Sequence, residues 1–312
     1  MSASVLFDQP GPRARRNQLI AGIIGSLVIL AILGYLVYRM YETKQFTARK
    51  WSIFTDPTAL NSLANALINT LIAAILAIIL SLIFGAVFGA MRVSHNAILR
   101  TISTVVVEFF RAVPLVLLIL FVFLGFADTL QSISNNLGIT TVMDNAGLGK
   151  GQGALASLVI GLTLYNGSVL AEIFRAGVQS VPRGQREAAY SIGLTRSQTL
   201  RKILAPQAIR TMLPAIISQS VVALKDTSLG LIVGYGELVR QGQLIATGYD
   251  NFIPVTIVLA CVYIAINYSL SRLAGYLSKR QARTKRLAPV KADPLLPPDT
   301  MIEIETERQL KD

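Results

Sequence analysis

Six long apolar segments, separated by polar stretches, dominate the hydrophobic pattern of the chain. They cover approximately Leu19–Tyr38, Ser62–Met91, Val105–Ala127, Leu155–Ile173, Ala215–Val233 and Phe252–Leu277. A helix needs about 20 apolar residues to cross the roughly 30 Å hydrocarbon core of a bilayer. The segments are continuous rather than alternately apolar and polar, which argues against a membrane β-barrel. The pattern predicts an all-α membrane protein with about six transmembrane helices.

The composition agrees with this prediction. Of 312 residues, 53% are hydrophobic and 15% are charged, whereas soluble domains carry about 25% charged residues. Cys261 is the only cysteine and His95 the only histidine, so the sequence predicts neither a disulfide nor a metal site. The first apolar segment is longer than the core of a secretory signal and lacks a cleavage pattern, so we interpret it as a retained anchor.

Positive charge predicts the orientation. Six spans place four basic segments on one side of the membrane, at Pro12–Arg16, Arg92–Arg100, Arg175–Arg210 and Lys279–Arg286. Cytoplasmic loops are enriched in Lys and Arg, so both termini are expected in the cytoplasm. The basic connector Arg39–Asn61 is predicted outside and disagrees with this rule. We therefore interpret the net charge of +12 mainly as a signal of the orientation in the membrane. Attraction to anionic lipid is the second interpretation.

A basic stretch, EAAYSIGLTRSQTLRKILAPQ at Glu187–Gln207, separates the fourth and fifth apolar segments. Pro182 and Gly184 mark the start of a short helix that covers Arg186–Ile192. Gly193 is suited to the left-handed position that ends a helix.

A second short helix is predicted after this turn. Thr195 can cap it, and Gln198, three residues later, completes a capping box. We expect it to end near Leu204, because Pro206 disfavours continuation and Pro214 precedes the next apolar segment.

Two helices and a turn with basic residues also describe a DNA-binding module. Such a module needs its own core, however, and both flanks here run directly into apolar segments. A docking element for another protein is the better interpretation. Its small residues and its candidate anchors are Ala188, Ala189, Gly193, Tyr190, Ile192 and Leu194.

The spacing of Glu187, Ala188, Ala189 and Gly193, followed by Ile203 and Pro206, resembles the EAA loop of bacterial ABC importer permeases. Ala205 stands where that pattern has leucine. The segments EFFRAVPLVLLILFVF and ALKDTSLGLIVGYGELVRQGQ resemble the permeases for histidine, glutamine, glutamate and arginine. The resemblance covers about Ser62 to Leu277. It implies a five-helix permease core plus an extra N-terminal helix, with a bacterial inner-membrane location.

The resemblance also implies the partners of the chain, and its extent marks the permease domain. The tail after this domain is rich in proline and charge and is predicted to be disordered from its composition. The predicted divisions are an N-terminal arm, helix and connector at 1–61, a permease domain at 62–278 and a disordered cytoplasmic tail at 279–312. The implied partners are ATPase subunits, a second permease subunit, identical or homologous, and an external amino-acid-binding protein, with no nucleic acid. The chain has no phosphate-binding loop, so we expect no catalysis and no cofactor in it. ATP and Mg²⁺ would bind to the partner ATPase.

The implied coupling loop seats in a cleft of the ATPase. Its candidate residues are Pro182, Gly184, Glu187, Ala188, Ala189, Tyr190, Gly193, Leu194, Ile203 and Pro206.

Ionisable residues in apolar segments are costly and are candidates for function. Glu108 and Arg111 can pair on one helical face, and Pro114 should kink or break that helix. Lys225 and Asp226 lie in the fifth segment. The candidate substrate pathway or gate comprises Glu108, Arg111, Pro114, Asn69, Lys225, Asp226, Thr227 and Ser228. Structural pairing of these charges is the alternative, and for Asn69, as for Gly85 and Gly89, close helix packing is the favoured role.

The sequence favours a permease subunit of an amino-acid importer. A membrane-anchored DNA-binding regulator and a secondary transporter are the alternatives. Neither a third loop helix nor an inverted repeat is found to support them. The amino acid is not specified, with glutamate or glutamine as the first candidates.

Overall fold

The computed structural model describes residues 11–138 and 151–283. The chain divides into two units. Within the first, helix α1 (Pro12–Glu42) has a proline in its first turn, and Arg39 pairs with Glu42 near its end. The second unit covers Ala48–Arg283. The predicted permease domain, 62–278, lies inside this unit, and the preceding residues Ile53 and Ala59 also belong to its core.

Two helices of the second unit begin after side chains that cap them. Asp56 and Asn96 accept hydrogen bonds from the backbone amides of Thr58 and Ile98, at 3.0 and 2.9 Å, and so cap two of the helices. The helices are α2 (Ala48–Trp51), α3 (Pro57–Arg92), α4 (Ala97–Ala112), α5 (Leu115–Asn136), α6 (Gln152–Gln179), α7 (Arg183–Ser191), α8 (Arg196–Thr199), α9 (Ala205–Asp226), α10 (Leu238–Gly248) and α11 (Phe252–Arg283).

Six helical segments in the described residues are long and apolar enough to cross a membrane. They are Pro12–Glu42, Pro57–Arg92, Leu115–Asn136, Gly153–Gln179, Arg196–Val233 and Phe252–Arg272. The predicted number of spans is confirmed. The last helix continues through Arg283, so the predicted tail boundary at 279 falls within it, and the remainder of that tail, from 284, lies outside the described residues.

The predicted third span, Val105–Ala127, was wrong at its start. Val113 is extended, and Pro114 begins a new helix, so residues 105–112 belong to α4 and the span begins at Leu115. Proline lacks an amide hydrogen, and it drives the residue before it into an extended conformation. The predicted break at Pro114 is therefore present, but it separates Glu108 and Arg111 from the membrane-spanning helix.

Helices α3, α5 and α6 form the centre of the second unit. Their buried side chains include Ala73, Ala77, Ile119, Leu158 and Leu162. The close approach predicted for Gly85 and Gly89 is confirmed, because a Cβ atom at these positions would lie 2.6 Å from Leu170 Cβ and 2.7 Å from Phe174 Cβ. Small residues at such contacts allow helix backbones to pack tightly in lipid.

Candidate functional site

The first helix of the basic loop is α7, which begins after Pro182 and ends at Ser191. Gly193 follows in the left-handed region with φ of +79°, as predicted. Its amide donates to the Tyr190 carbonyl at 2.9 Å, and the Leu194 amide donates to the Ala189 carbonyl at 3.1 Å. These bonds satisfy carbonyls at the helix end, and a side chain at position 193 would strain the backbone.

The second loop helix has the predicted capping box. The Thr195 hydroxyl accepts from the Gln198 amide at 3.4 Å, and the Gln198 side chain accepts from the Thr195 amide at 2.8 Å. The predicted end near Leu204 is wrong. A π-helical turn at Leu200–Leu204 joins α8 directly to α9, so the helix continues past Pro206. Pro206 has no amide hydrogen to donate to an α-helical hydrogen bond. The π turn shifts the hydrogen-bond register directly before Pro206, so the helix can continue through the proline.

The loop is held against the bundle by a small apolar cluster. Val181, Leu204, Ala208 and Met212 are buried in it, with Ile173, Phe174 and Val178 packed around them. Ala189 is also buried, so its small size serves packing within the chain. The predicted close approach of a partner to Ala189 stays a prediction, and the burial of this residue gives it no support.

The outward face of the loop carries other predicted residues. Pro182, Gly184, Glu187 and Ala188 are exposed, while Leu194 and Ile203 are half-buried. Tyr190 is exposed, and Ile192 is 75% exposed. An apolar side chain this accessible on a polar loop is available for a protein contact.

Five ionised side chains join the ends of α3, α4 and α6. Arg92 donates to Glu172 at 2.7 Å and to Glu108 at 3.1 Å. Arg111 Nη1 lies 3.7 Å from Glu108 Oε1, and Arg175 Nε donates to Glu172 Oε1 at 3.1 Å. We call these five residues the ion-pair network. The predicted pair of Glu108 and Arg111 is present, whereas the central position of Arg92 was not predicted.

The predicted pathway residues near the end of α9, from Lys225 to Ser228, lie in a different environment from that of the ion-pair network. The α-helix ends at Asp226 and tightens into a 3₁₀ helix at Thr227–Val233. Lys225 and Ser228 line a cavity of about 640 Å³ between α9 and α11, and we call it the α9–α11 cavity. Its wall also includes Tyr263, Asn267 and Tyr268.

The two residues next to Lys225 and Ser228 face other neighbours. Asp226 lies beside Asn166 of α6, and Asn166 accepts from Gln219 at 2.6 Å. The Thr227 hydroxyl donates to the Leu224 carbonyl at 2.6 Å, and its side chain is buried. Of the four predicted residues, the structure thus brings Lys225 and Ser228 together at the cavity.

Asn69 supports a turn rather than the cavity. Its side-chain amide donates to the Gly236 carbonyl at 3.0 Å, and its backbone carbonyl accepts from the Tyr235 hydroxyl at 3.1 Å. The adjacent Thr70 hydroxyl accepts from the Leu238 amide at 3.0 Å. These bonds fix the turn that leads into α10.

Sequence reasoning missed Glu237, which is fully buried. Its carboxylate caps α10 by accepting from the amides of Val239 and Arg240 at 2.8 and 2.7 Å, and it accepts from the Tyr263 hydroxyl at 3.2 Å. Desolvation by burial raises the pKa of Glu237 to about 7, although these hydrogen bonds favour the charged form. The available signal was an acidic residue directly before the run LVRQGQL.

Comparison with known proteins agrees with this arrangement. Residues 81–283, more than half of the chain, match the family described as "Binding-protein-dependent transport system inner membrane component". The chain is 42% identical over 195 residues to the "Glutamate transport system permease protein GluD" of Corynebacterium glutamicum, a match that covers 62% of this chain and 65%, just under two thirds, of that relative. It is 37% identical to the "Probable glutamine ABC transporter permease protein GlnP" of Bacillus subtilis, over 61% of this chain and 80% of that one.

A solved structure supports the same fold. The "Crystal structure of an amino acid ABC transporter with histidines" superposes with a TM-score of 0.60 and 26% identity, over 71% of this chain and 94% of that chain. The chain is a multi-pass membrane protein that belongs to the family of inner membrane components of binding-protein-dependent transport systems.

Proposed function

We propose that the chain is the permease subunit of an ATP-binding-cassette importer that carries a polar amino acid into the cell. One observation carries this proposal. The helical path from Arg196 to Asp226 is unbroken through α8, the π turn and α9, a length of about 45 Å at 1.5 Å per residue. It begins in the exposed loop and ends at the α9–α11 cavity. A movement imposed at the loop is therefore transmitted to Lys225.

The exposed face of α7 is the proposed contact with an ATPase subunit. Glu187 and Ala188 on this short helix are accessible together with Ile192, which directly follows it. A short helix that enters a groove with an apolar anchor is a common mode of recognition. ATP and Mg²⁺ bind to the ATPase in this proposal, and the permease itself needs no cofactor.

The proposed orientation places the loop in the cytoplasm. Residues from two basic segments, Arg92 and Arg100 from the first and Arg186 and Arg196 from the second, line one cavity. Both segments therefore lie at the same end of the bundle, as positive-inside topology requires. Both termini then lie in the cytoplasm of a bacterial cell, and the solute enters from the opposite side.

Relatives named for glutamate and glutamine favour one of these amino acids as the solute. The Lys225 ammonium at the α9–α11 cavity offers a counter-charge for a carboxylate, and Ser228 and Asn267 offer hydrogen bonds. The remaining proposed partners are an external binding protein and a second permease subunit, either a copy of this chain or a homologue.

The structure does not favour the alternative function, a membrane-anchored DNA-binding regulator. The helix that contains Arg196 continues into a membrane span, which leaves no separate three-helix module for a DNA groove.

The test is reconstitution of the chain with its ATPase and binding protein in liposomes. We expect external glutamate or glutamine, delivered by the binding protein, to stimulate ATP hydrolysis and to accumulate inside. Uptake that proceeds without ATP, driven by an ion gradient, would instead identify a secondary transporter.

A further inference from the structure

A second cavity, of about 280 Å³, lies between the turn that follows α3 and the basic loop. Its wall includes Arg92, Arg100, Arg186, Arg196, His95 and Tyr190. We call it the arginine cavity. No acidic side chain lines it in the described part of the chain, so four arginines line a space without a counter-charge in its wall.

Most of this positive charge is not neutralised within the described residues. Arg92, whose side chain is 10% exposed, is paired with Glu172 and Glu108 outside the cavity wall. Arg100, Arg186 and Arg196 form no ion pair in the described ranges. The Nε atom of Arg186 is buried and has no hydrogen-bond partner there. Leaving a buried donor of a charged group unsatisfied is costly, and an anion in the cavity would remove that cost.

The N-terminus of α4 adds to the field at this cavity. Asn96 caps the helix, and Ser94, His95 and Arg100, on either side of the cap, line the cavity. The first turn of a helix carries a partial positive charge and favours anions. The arginine side chains and the helix end thus act in the same direction.

The size and position of the cavity select the anion. Guanidinium groups bind phosphate oxygens in bidentate geometry, and a volume of about 280 Å³ is below that of sites for drug-sized ligands. Arg92 ends one membrane-spanning helix, and Gln179 ends another. Basic pockets at the cytoplasmic ends of such helices bind phospholipid head groups.

We propose that the arginine cavity binds a phosphate group, supplied by the head group of an anionic phospholipid or by a small soluble phosphate. Arg100 belongs to α4, Arg186 to α7 and Arg196 to α8, so the bound phosphate ties the basic loop to the helices beneath it. With the coupling role and orientation proposed above, occupancy of the cavity stiffens the loop against which the ATPase works.

The first experiment measures binding on the permease chain alone. The protein is exchanged into nanodiscs of phosphatidylcholine with or without phosphatidylglycerol, and native mass spectrometry counts the phospholipids that remain after delipidation. We expect tightly retained phosphatidylglycerol in the wild type and at least tenfold weaker retention in the double variant Arg100→Gln, Arg186→Gln. Arg210→Gln is the matched control, because Arg210 is exposed and lies outside the cavity wall.

The second experiment needs no variant and separates the two sources. Phenylglyoxal modifies accessible arginines, and peptide mass spectrometry follows Arg100, Arg186 and Arg196. Protection by phosphatidylglycerol alone assigns the site to lipid, and protection by inorganic phosphate in phosphatidylcholine assigns it to a soluble anion.

Equal modification under all these conditions overturns the proposal, and so does equal lipid retention by the double variant and the wild type when inorganic phosphate gives no protection either. Protection that requires the ATPase and is independent of phosphate also overturns it, because the arginines would then bind a carboxylate of the ATPase. Apart from one arm of the phenylglyoxal experiment to which the ATPase is added, binding is measured without ATPase or amino acid, so a negative result leaves the proposed transport function intact. A failure of transport likewise leaves the cavity proposal standing.

Discussion

The ion-pair network and Lys225 lie near opposite ends of the helical path from Arg196 to Asp226, and they differ in whether the fold supplies a counter-ion. Near the loop end, the ion-pair network holds α3, α4 and α6 together through side chains that satisfy one another. Near the other end, Lys225 lines the α9–α11 cavity and forms no ion pair within the described ranges. Glu237 nearby is bound by backbone amides and a tyrosine rather than by a cation.

This difference separates structural charges from functional ones. A charge whose counter-ion is built into the fold is already stabilised and contributes little to recognition of a solute. A charge left without one is costly in an apolar segment, and it is retained where a ligand supplies the missing interaction. Glu108 and Arg111 are paired within the fold, whereas Lys225 stays a predicted contact for the solute of the proposed function.

The largest expected effect is at the loop end, from Gly193→Val. The φ of +79° at Gly193 is strained for any β-branched residue, at a cost on the order of 1–3 kcal/mol. We expect the loop to shift and uptake in liposomes to be lost, either with ATP hydrolysis continuing uncoupled or with the complex failing to assemble. Gly125→Val is the control, because position 125 is equally open but has ordinary helical backbone. Normal uptake by the Gly193 variant would contradict the proposed loop geometry.

At the cavity end, Lys225→Met should reduce uptake of the amino acid about tenfold or more, because a charge-assisted bond to the solute is lost. Basal ATP hydrolysis without solute is expected to persist, and Lys225→Arg should restore part of the uptake. Initial rates at several solute concentrations distinguish weakened binding from slowed turnover. Unchanged uptake by the methionine variant would show that Lys225 does not contact the solute.

The buried carboxyl group of Glu237 should make the free energy of unfolding depend on pH. Its pKa in the folded protein, about 7, exceeds the ordinary 4.5, so the folded state holds more protons than the unfolded state between these values. The free energy of unfolding should therefore fall as the pH rises from about 4.5 to 7, by roughly 2–3 kcal/mol. Glu237→Gln should flatten this slope, as measured by thermal unfolding in detergent across that range. A slope equal to that of the wild type would show that another group titrates there.

The smallest effect is expected among the charges that are paired within the fold. Arg92→Gln leaves Glu172 and Glu108 without their shared partner and should lower the free energy of unfolding by about 1–2 kcal/mol, since Arg92 is largely buried. Arg39→Gln breaks an exposed pair with Glu42 and should cost well under 1 kcal/mol. Melting temperatures of the two variants, measured side by side, test this ranking, and equal losses would contradict it.

Much of the fold could be predicted because its signals are local. Continuous apolar runs are sufficient for helices in lipid, where every backbone group must be satisfied within its own segment. The capping box at Thr195 and the left-handed turn at Gly193 depend on a few adjacent residues. The break at Pro114 is equally local, although the pattern alone did not show that the membrane span begins only after it.

The tertiary structure decided which distant residues meet. Arg92 and Glu172 are 80 positions apart, and Asn69 and Gly236 are 167 apart, so no spacing rule could pair them. The burial of Ala189 and Glu237 and the passage of the helix beyond Pro206 also depended on packing. The sequence by itself thus determined the number of membrane spans and the loop turn, since these follow from interactions within one segment. Only the packed bundle decided which charges are paired and which remain free for a ligand, because pairing requires side chains from separate helices to share one place.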